Sequence, residues 1–168
     1  MSRSRSPSQR RFRFLLAAVA SLAAVSLAQR GGPKLNLQVS EAVVERAVDG
    51  DTVVLSTGER VRYIGVDTPE LHHPKKPVEA YAREAKEFNR KLVEGKAVRL
   101  EFDVERHDKY GRLLAYVYLP EGTFVNAELV RQGYAHTLTI PPNVKYADLF
   151  VKYQQEAREN NRGLWGRR

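Results

Sequence analysis

The chain has 168 residues, contains no cysteine and carries a formal net charge of +8. This length fits one domain with some residues to spare, and the missing cysteines exclude disulfide bonds and thiolate metal sites. The charge is concentrated at the start, because residues 1–13 hold five arginines and no acidic residue. From residue 29 onward, 23 basic residues face 20 acidic ones, a net charge of +3, so bulk charge alone does not indicate a polyanion-binding domain.

Residues 1–28 have the pattern of a secretory signal peptide. The basic start is followed by an apolar run from Phe14 to Ala28 that ends in small residues. The run is shorter than the ~20 residues of a membrane-spanning helix, so cleavage after Ala28 is expected. An uncleaved membrane anchor is the alternative, and a twin-arginine signal around Arg10 and Arg11 fits less well. The sequence therefore predicts a secreted, periplasmic or cell-envelope protein, with a linker over residues 29–40 and a folded domain over residues 41–168.

The first half of that domain combines three strand patterns with one helix pattern. Alternating apolar residues between turn sequences predict strands over residues 42–48, 52–56 and 60–66. The period then lengthens and predicts an amphipathic helix from residue 78 to 93. The apolar face of this helix comprises Tyr81, Ala85, Phe88 and Leu92.

The second half adds two strands and two helices. Strands are predicted over residues 97–104 and 112–119, with the turn DKYG between them. A short helix over residues 126–132 and a last helix after the Pro141-Pro142 pair complete the pattern. Phe88, Phe150 and Trp165 are assigned to the core. Five strands with one helix after the third and two more at the end predict an α+β fold, a five-stranded oligonucleotide-binding (OB-fold) β-barrel with three α-helices.

Two aspartates lie where predicted strands end. Asp51 lies in VDGDTV, and Asp67 closes the third strand at the start of the loop sequence DTPELHHPKKP. Strand ends border the cleft of a barrel, and a pair of carboxylates suits a hard cation, above all Ca²⁺. Pro69 favours an extended Thr68, whose carbonyl becomes a third candidate ligand, with water and a substrate oxygen completing the coordination. The alternative is that both aspartates only form turns.

One glutamate and two arginines provide groups for phosphate chemistry. Glu70 follows Asp67 by three residues, within reach of a metal-bound water whose proton it could accept. Arg62 lies on a strand and Arg112 begins one, so each can present its planar guanidinium to two phosphate oxygens in the transition state. The alternatives are a solvated acid and surface arginines paired with Glu59 or Asp108.

These motifs follow one another in the order of a known family. VDGDTV, RYIGVDTPE, HPKKP, HDKYGRLLAYVY and VNAELVRQGYA resemble the thermonuclease (micrococcal or staphylococcal nuclease) family over about residues 42–166. The resemblance implies a calcium-dependent endo- or exonuclease that hydrolyses DNA and RNA to products with 3′-phosphate ends. It assigns Asp51, Asp67 and the Thr68 carbonyl to calcium, Arg62, Glu70 and Arg112 to catalysis, Asp49 to a position behind the metal ligands, and Lys109 and Tyr110 to the terminal phosphate of a bound nucleotide.

One stretch departs from the family pattern. After GYAH the chain reads TLTIPPN, and Thr139 stands about where the family has a tyrosine that stacks on the base. Such stacking is worth ~1–3 kcal/mol per base, so weaker nucleotide binding is expected, with Tyr110 as the remaining aromatic group. Lys75 and Lys76 are predicted to contact flanking phosphates, with a solvated basic loop as the alternative. The four histidines, His72, His73, His107 and His136, lack metal-ligand spacing and are assigned to the surface or to packing.

A non-cleaving OB module that binds single-stranded nucleic acid is the main alternative function. Against it, Asp49, Asp51, Asp67 and Glu70 in a phosphate groove would repel a nucleic-acid backbone unless a divalent cation reversed the local charge. A membrane-anchored structural domain leaves the arginines unexplained. Nothing in the sequence indicates an obligate protein partner, so a monomer is expected, with membrane contact only if the leader is not cleaved.

Overall fold

The computed structural model describes residues 39–71 and 79–166. The strands are β1 (Val39–Asp49), β2 (Thr52–Leu55), β3 (Arg60–Tyr63), β4 (Gly65–Asp67), β5 (Ala97–Glu101), β6 (Leu113–Tyr118) and β7 (His136–Leu138). The helices are α1 (Ala82–Val93), α2 (Val125–Arg131) and α3 (Ala147–Glu159), followed by a short 3₁₀ helix, Gly163–Trp165. The predicted signal peptide, most of the predicted linker, and His72, His73, Lys75 and Lys76 lie outside the described residues.

Five of the strands close a mixed barrel in the order β1-β2-β3-β6-β5. Each neighbouring pair is antiparallel except β3 and β6, which run parallel. Because β5 pairs with both β6 and β1, the sheet has no free edge. The predicted α+β fold, a five-stranded barrel with three helices of the OB type, is confirmed.

The third predicted strand divides into two at Gly65. Residues 60–66 read as one strand, but Gly65 adopts a φ of +82° and both of its neighbours, Ile64 and Val66, are buried. The predicted alternation therefore stops before Gly65, where a Cβ would overlap the ring of Phe150. Beyond this bend β4 leaves the barrel and pairs with β7, a strand that the sequence analysis did not predict.

Helix α1 begins at Ala82, four residues later than predicted. Its buried residues are Ala82, Ala85, Asn89 and Val93, and Phe88 and Leu92 are partly buried. Asn89 joins the helix to the barrel, because its Nδ2 donates to the carbonyl of Asp49 at 3.0 Å and its Oδ1 accepts from the Tyr63 hydroxyl at 2.9 Å. A buried amide with both ends satisfied fixes the rotation of the helix against β1.

Aromatic side chains join the C-terminal helix to the barrel. The rings of Tyr116, Phe124, Tyr146 and Phe150 form a cluster with centroids between 4.7 and 6.5 Å apart. Phe150 belongs to the core as predicted, whereas Trp165 is only partly buried and meets His136 edge-on at 5.0 Å. Among residues 39–71 and 79–166, no helix combines the length and apolar character needed to cross a bilayer.

Candidate active site

The register of the first three strands places site residues side by side on one face. Asp49 on β1 pairs with Thr52 on β2, and Thr52 pairs with Arg62 on β3. Directly paired residues present their side chains on the same face of a sheet, so Asp49 and Arg62 lie on either side of Thr52. Asp51 occupies the turn that joins the first two of these strands.

Asp51 is only 5% exposed and is held by the residue after Asp67. The amide and the hydroxyl of Thr68 both donate to Oδ2 of Asp51, at 2.8 and 3.0 Å, and the Thr52 hydroxyl donates to Oδ1 at 3.0 Å. Gly50 permits this approach, since a Cβ there would lie 2.7 Å from the Thr68 side chain. The two motifs VDGDTV and VDTPE are therefore parts of one site.

Arg62 bridges the two aspartates. Its Nη1 lies 2.8 Å from Oδ2 of Asp51 and also donates to the Val66 carbonyl at 2.9 Å, while its Nη2 donates to Oδ1 of Asp67 at 2.7 Å. The Arg62 side chain is 14% exposed, whereas that of Asp67 is 53% exposed. Arg62 is thus fixed inside the site rather than paired on the surface with Glu59.

Nearby carboxylates and burial act on the pKa of Asp67. Burial raises this pKa above its ordinary value, and the charges of Asp51 and Glu70 add to the rise, while Arg62 and His136 oppose it. His136 stands directly opposite Asp67 in the β4–β7 pair. A site that disfavours the negative charge of Asp67 would be relieved by a bound cation, which reverses the local sign.

The donors of this site fit a hard divalent cation. Carboxylate and carbonyl oxygens from Asp51, Asp67 and Thr68 are the ligand types that Ca²⁺ takes. Asp51, Thr68, Asp49 and Glu70 line a small cavity of about 50 Å³, and Asp67 is joined to it through Arg62. Within the described part of the chain no group of three or more His, Asp or Glu side chains is placed to hold a metal ion. The predicted ligands, two carboxylates and one carbonyl, remain a prediction.

Arg112 is held by a residue that the sequence analysis named only as a possible surface partner. Asp108 accepts from Nε of Arg112 at 2.6 Å through Oδ2, and its Oδ1 accepts from the backbone amides of Tyr110 and Arg112 at 2.8 and 3.0 Å. Burial alone would raise the pKa of Asp108, but these hydrogen bonds and the charge of Arg112 outweigh it and lower the pKa. Since Nε carries the ion pair, the terminal nitrogens of Arg112 remain for a ligand, and Asp108 fixes the position of the guanidinium.

Glu70 is exposed, and its backbone is held by a second acidic residue. The Glu70 amide donates to Oε2 of Glu79 at 3.2 Å, and the Glu79 amide donates to the Glu70 carbonyl at 3.1 Å. The reciprocal pair fixes the backbone that carries the Glu70 carboxylate while leaving its side chain in solvent. Glu79 was missed, because an acid nine residues further on gives no local signal in the sequence.

A second cavity, of about 440 Å³, opens beside the two arginines. Its lining includes Arg62, Arg112, Lys109, Tyr110, Leu138 and Ile140. Tyr110 is 72% exposed, and the Lys109 amine lies 5.0 Å from the centre of its ring. Thr139, which stands about where the family has a tyrosine, does not line this cavity, whereas its neighbours Leu138 and Ile140 do.

The family model described as staphylococcal nuclease homologue matches residues 60–167. The chain belongs to this family. It is 44% identical to the thermonuclease of Staphylococcus intermedius over 128 residues, which cover 74% of this chain and 76% of that protein. It is also 38% identical to the thermonuclease of Staphylococcus hyicus over 125 residues, 73% of each chain. Endonuclease YncB of Bacillus subtilis (strain 168) is 42% identical over 129 residues, which span 74% of this chain and 61% of that protein.

The structure of this staphylococcal nuclease homologue brings most of the predicted site residues together. One small cavity is lined by Asp49, Asp51, Arg62, Thr68, Glu70 and Arg112. Lys109 and Tyr110 lie in the adjoining cavity, which shares both arginines with the first. The predicted contacts of Lys75 and Lys76 with flanking phosphates remain predictions, because these residues lie outside the described ranges.

Proposed function

We propose that the chain, a nuclease hydrolase of the thermonuclease type, is a calcium-dependent phosphodiesterase that cleaves DNA and RNA to products with 3′-phosphate ends. The observation that carries the proposal is the shared lining of one cavity by two arginines and an exposed glutamate, next to the buried Asp51. Two guanidinium groups and a carboxylate are the groups that phosphoryl transfer to water requires.

The two arginines bind the scissile phosphate. Asp108 holds Arg112 through Nε and leaves its terminal nitrogens for the phosphate. Both terminal nitrogens of Arg62, by contrast, contact carboxylates, those of Asp51 and Asp67. With a cation on these two carboxylates, the terminal nitrogens of Arg62 would turn to the phosphate. The two guanidinium groups then present N–H donors to the extra negative charge of a five-coordinate phosphorus.

Glu70 acts as the general base for the attacking water. Its carboxylate accepts the proton while the water oxygen bonds to phosphorus, and the bond between phosphorus and the 5′ oxygen breaks. The departing 5′ oxygen takes a proton from solvent, so the products are a 3′-phosphate and a 5′-hydroxyl. A calcium ion held by Asp51, Asp67 and the Thr68 carbonyl would polarise the phosphate and offset the charge of the carboxylates.

The proposal includes export and a monomeric enzyme. Residues 1–28 have the pattern of a signal peptide, which supports an enzyme that acts outside the cell, in the periplasm or at the envelope. Fractionation of cells that produce the full chain, followed by N-terminal sequencing, tests both export and cleavage after Ala28. Full-length protein found only in the cytoplasm would overturn this part of the proposal.

The reaction is tested with single-stranded DNA and RNA, first with calcium and then with a calcium chelator. Cleavage that stops on chelation and leaves 3′-phosphate ends supports the reaction and its metal dependence. A strand that is bound but stays intact in calcium would refute cleavage and favour a binding module. Cleavage that leaves 5′-phosphates would refute the direction of bond breaking.

A further inference from the structure

A basic groove borders the catalytic residues. On β3 it is lined by Arg60, whereas the cavity of about 440 Å³ beside Leu138 and Ile140, here called the apolar cavity, is lined by residues from Arg62 onward. The groove has a volume of about 390 Å³, and its lining includes Arg46, Arg60, Lys86, Arg112, Asp49 and Thr52. Asp49, Thr52 and Arg112 also line the small catalytic cavity, and Arg112 lines the apolar cavity as well. The groove is therefore continuous with the site of the proposed cleavage.

The strand register aligns the groove with the catalytic residues. Arg46 on β1 and Arg60 on β3 both pair with Val54 on β2, so the two arginines share one face on either side of it. On β2 and β3 this row lies two residues from the row that holds Thr52 and Arg62. Two residues along a strand correspond to about 6.6 Å, a step comparable with the separation of neighbouring phosphates in a single strand.

The third cation reaches the groove from a different element. Lys86 lies on α1, one turn before Asn89, whose side chain donates to the Asp49 carbonyl. Residues three apart on a helix share a face, so this hydrogen bond directs Lys86 toward the groove wall formed by β1. A phosphate in the groove can therefore be contacted by one cation from the helix and by others from the strands.

The three cations of the groove differ from the two catalytic arginines in their ion pairs. Among residues 39–71 and 79–166, no carboxylate forms an ion pair with Arg46, Arg60 or Lys86, whereas Arg62 and Arg112 are both paired. Asp49 supplies the carboxylate of the described lining. Since residues 29–168 carry a net charge of only +3, the positive character of the groove comes from this placement and not from composition.

We propose that Arg46, Arg60 and Lys86 bind phosphates of the substrate strand on the far side of the scissile phosphate from the apolar cavity. The inference rests on the proposed nuclease function and extends it, because it makes the enzyme favour strands that continue past the cleaved bond. A single nucleic-acid strand is the occupant that fits, since the groove is continuous with the cleavage site and its row of arginines lies one step of about 6.6 Å from the row of Thr52 and Arg62.

The test compares Arg60→Ala and Lys86→Ala with the parent enzyme on two single-stranded DNA substrates. One is a dinucleotide with a single phosphodiester bond, and the other has about ten nucleotides, within the ~4–16 that one OB-fold covers. Each substitution is expected to lower kcat/KM on the longer strand by about three- to tenfold, with a much smaller loss on the dinucleotide. The log–log salt slope for the longer strand should also become shallower by about 0.7 per lost phosphate contact. Lys152→Ala removes an exposed lysine of α3 that lies outside the groove lining, and it controls for the loss of one charge.

A neutral methylphosphonate then locates the contact. Placed one or two linkages from the cleaved bond on the groove side, it should slow the parent enzyme and remove most of the difference between the parent and Arg60→Ala. The inference is overturned if both substitutions lower kcat/KM equally on short and long substrates, or if Lys152→Ala has the same effect as Arg60→Ala. If the parent enzyme is active and the groove variants are equally active, phosphate binding by the groove is refuted and the nuclease function stands. If the parent cleaves neither substrate, both the proposed function and phosphate binding by the groove are refuted.

Discussion

Replacing Asp108 by asparagine should weaken catalysis without unfolding the turn that precedes Arg112. The asparagine oxygen can still accept from the amides of Tyr110 and Arg112, which now bond to Oδ1 at 2.8 and 3.0 Å. The change removes the carboxylate that accepts from Nε of Arg112 at 2.6 Å. What is lost is therefore the anchor of the guanidinium, while the backbone keeps its hydrogen bonds.

The size of the effect follows from that one contact. The Asp108 side chain is 16% exposed and that of Arg112 is 29% exposed, so solvent screens their pairing only in part. A hydrogen bond between charged groups is worth ~1.5–3 kcal/mol, and partial exposure to solvent reduces this value. The amide nitrogen that replaces Oδ2 is a donor and cannot accept from Nε of Arg112. A loss of ~1–2 kcal/mol in the transition state corresponds to about a 5- to 30-fold lower kcat/KM.

The assay measures kcat/KM on single-stranded DNA together with urea unfolding of Asp108→Asn. Arg112→Lys is the comparison, because a lysine cannot replace the bidentate guanidinium and should lose most activity while the fold is kept. Since hydrogen bonds lower the pKa of Asp108, its carboxylate stays charged to a pH below the ordinary range, and the pairing is complete at neutral pH and lost only in acid. Parent-level activity in Asp108→Asn alongside an inactive Arg112→Lys would refute the positioning role of Asp108.

Three further substitutions test other parts of the molecule. Glu70→Gln should still bind calcium and nucleotide by titration calorimetry but turn over about 10²–10⁴-fold more slowly, and a loss of calcium binding would instead place Glu70 among the metal ligands. Gly65→Ala forces a side chain onto a φ of +82° and into the Phe150 ring, so urea unfolding should show a loss of about 2–3 kcal/mol, and an unchanged midpoint would contradict the packing argument. Burial alone would raise the pKa of Glu101, but hydrogen bonds from Lys145 and Tyr146 outweigh it and lower the pKa. Glu101→Gln should therefore destabilise by about 1–2 kcal/mol at neutral pH. Because the contribution of the carboxylate is lost as pH falls through its lowered pKa, this difference should shrink in acid, and a difference that stays constant with pH would exclude the ion pair as its cause.

The barrel was predictable because its signals are local. Alternating apolar residues and Asp-Gly turns mark the strands, and strand ends place Asp51 and Asp67 at the cleft. The pairing of β4 with β7, outside the barrel, was not predictable in the same way. It depends on the contact between Gly65 and Phe150, which are far apart in the sequence. A glycine inside a strand pattern was the one available sign, since glycine there often marks a bend.

The residues that support the site also differ in whether the sequence near them indicates their role. Asp108 lies four residues before Arg112 across a tight turn, so an acid–arginine pair there could have been inferred as structural support. Glu79 holds the backbone of Glu70 across residues that the sequence pattern leaves as a loop, and no periodicity indicates it. The aliphatic lining beside Thr139 likewise depends on which side chains β7 and the residues after it direct into the cavity, which composition does not specify.

The arrangement of charge on the first three strands separates binding from chemistry. The row of Asp49, Thr52 and Arg62 adjoins the carboxylates of Asp51 and Asp67, which would repel a phosphate without a cation, and burial together with neighbouring charges raises the pKa of Asp67. The neighbouring row of Arg46 and Arg60 carries cations without carboxylate partners among the described residues, which suits it to bind a phosphate without reacting with it. A module that only bound nucleic acid would need the second row alone. The carboxylates beside the first row weaken binding of a polyanion, and a divalent cation that takes part in cleavage would account for them.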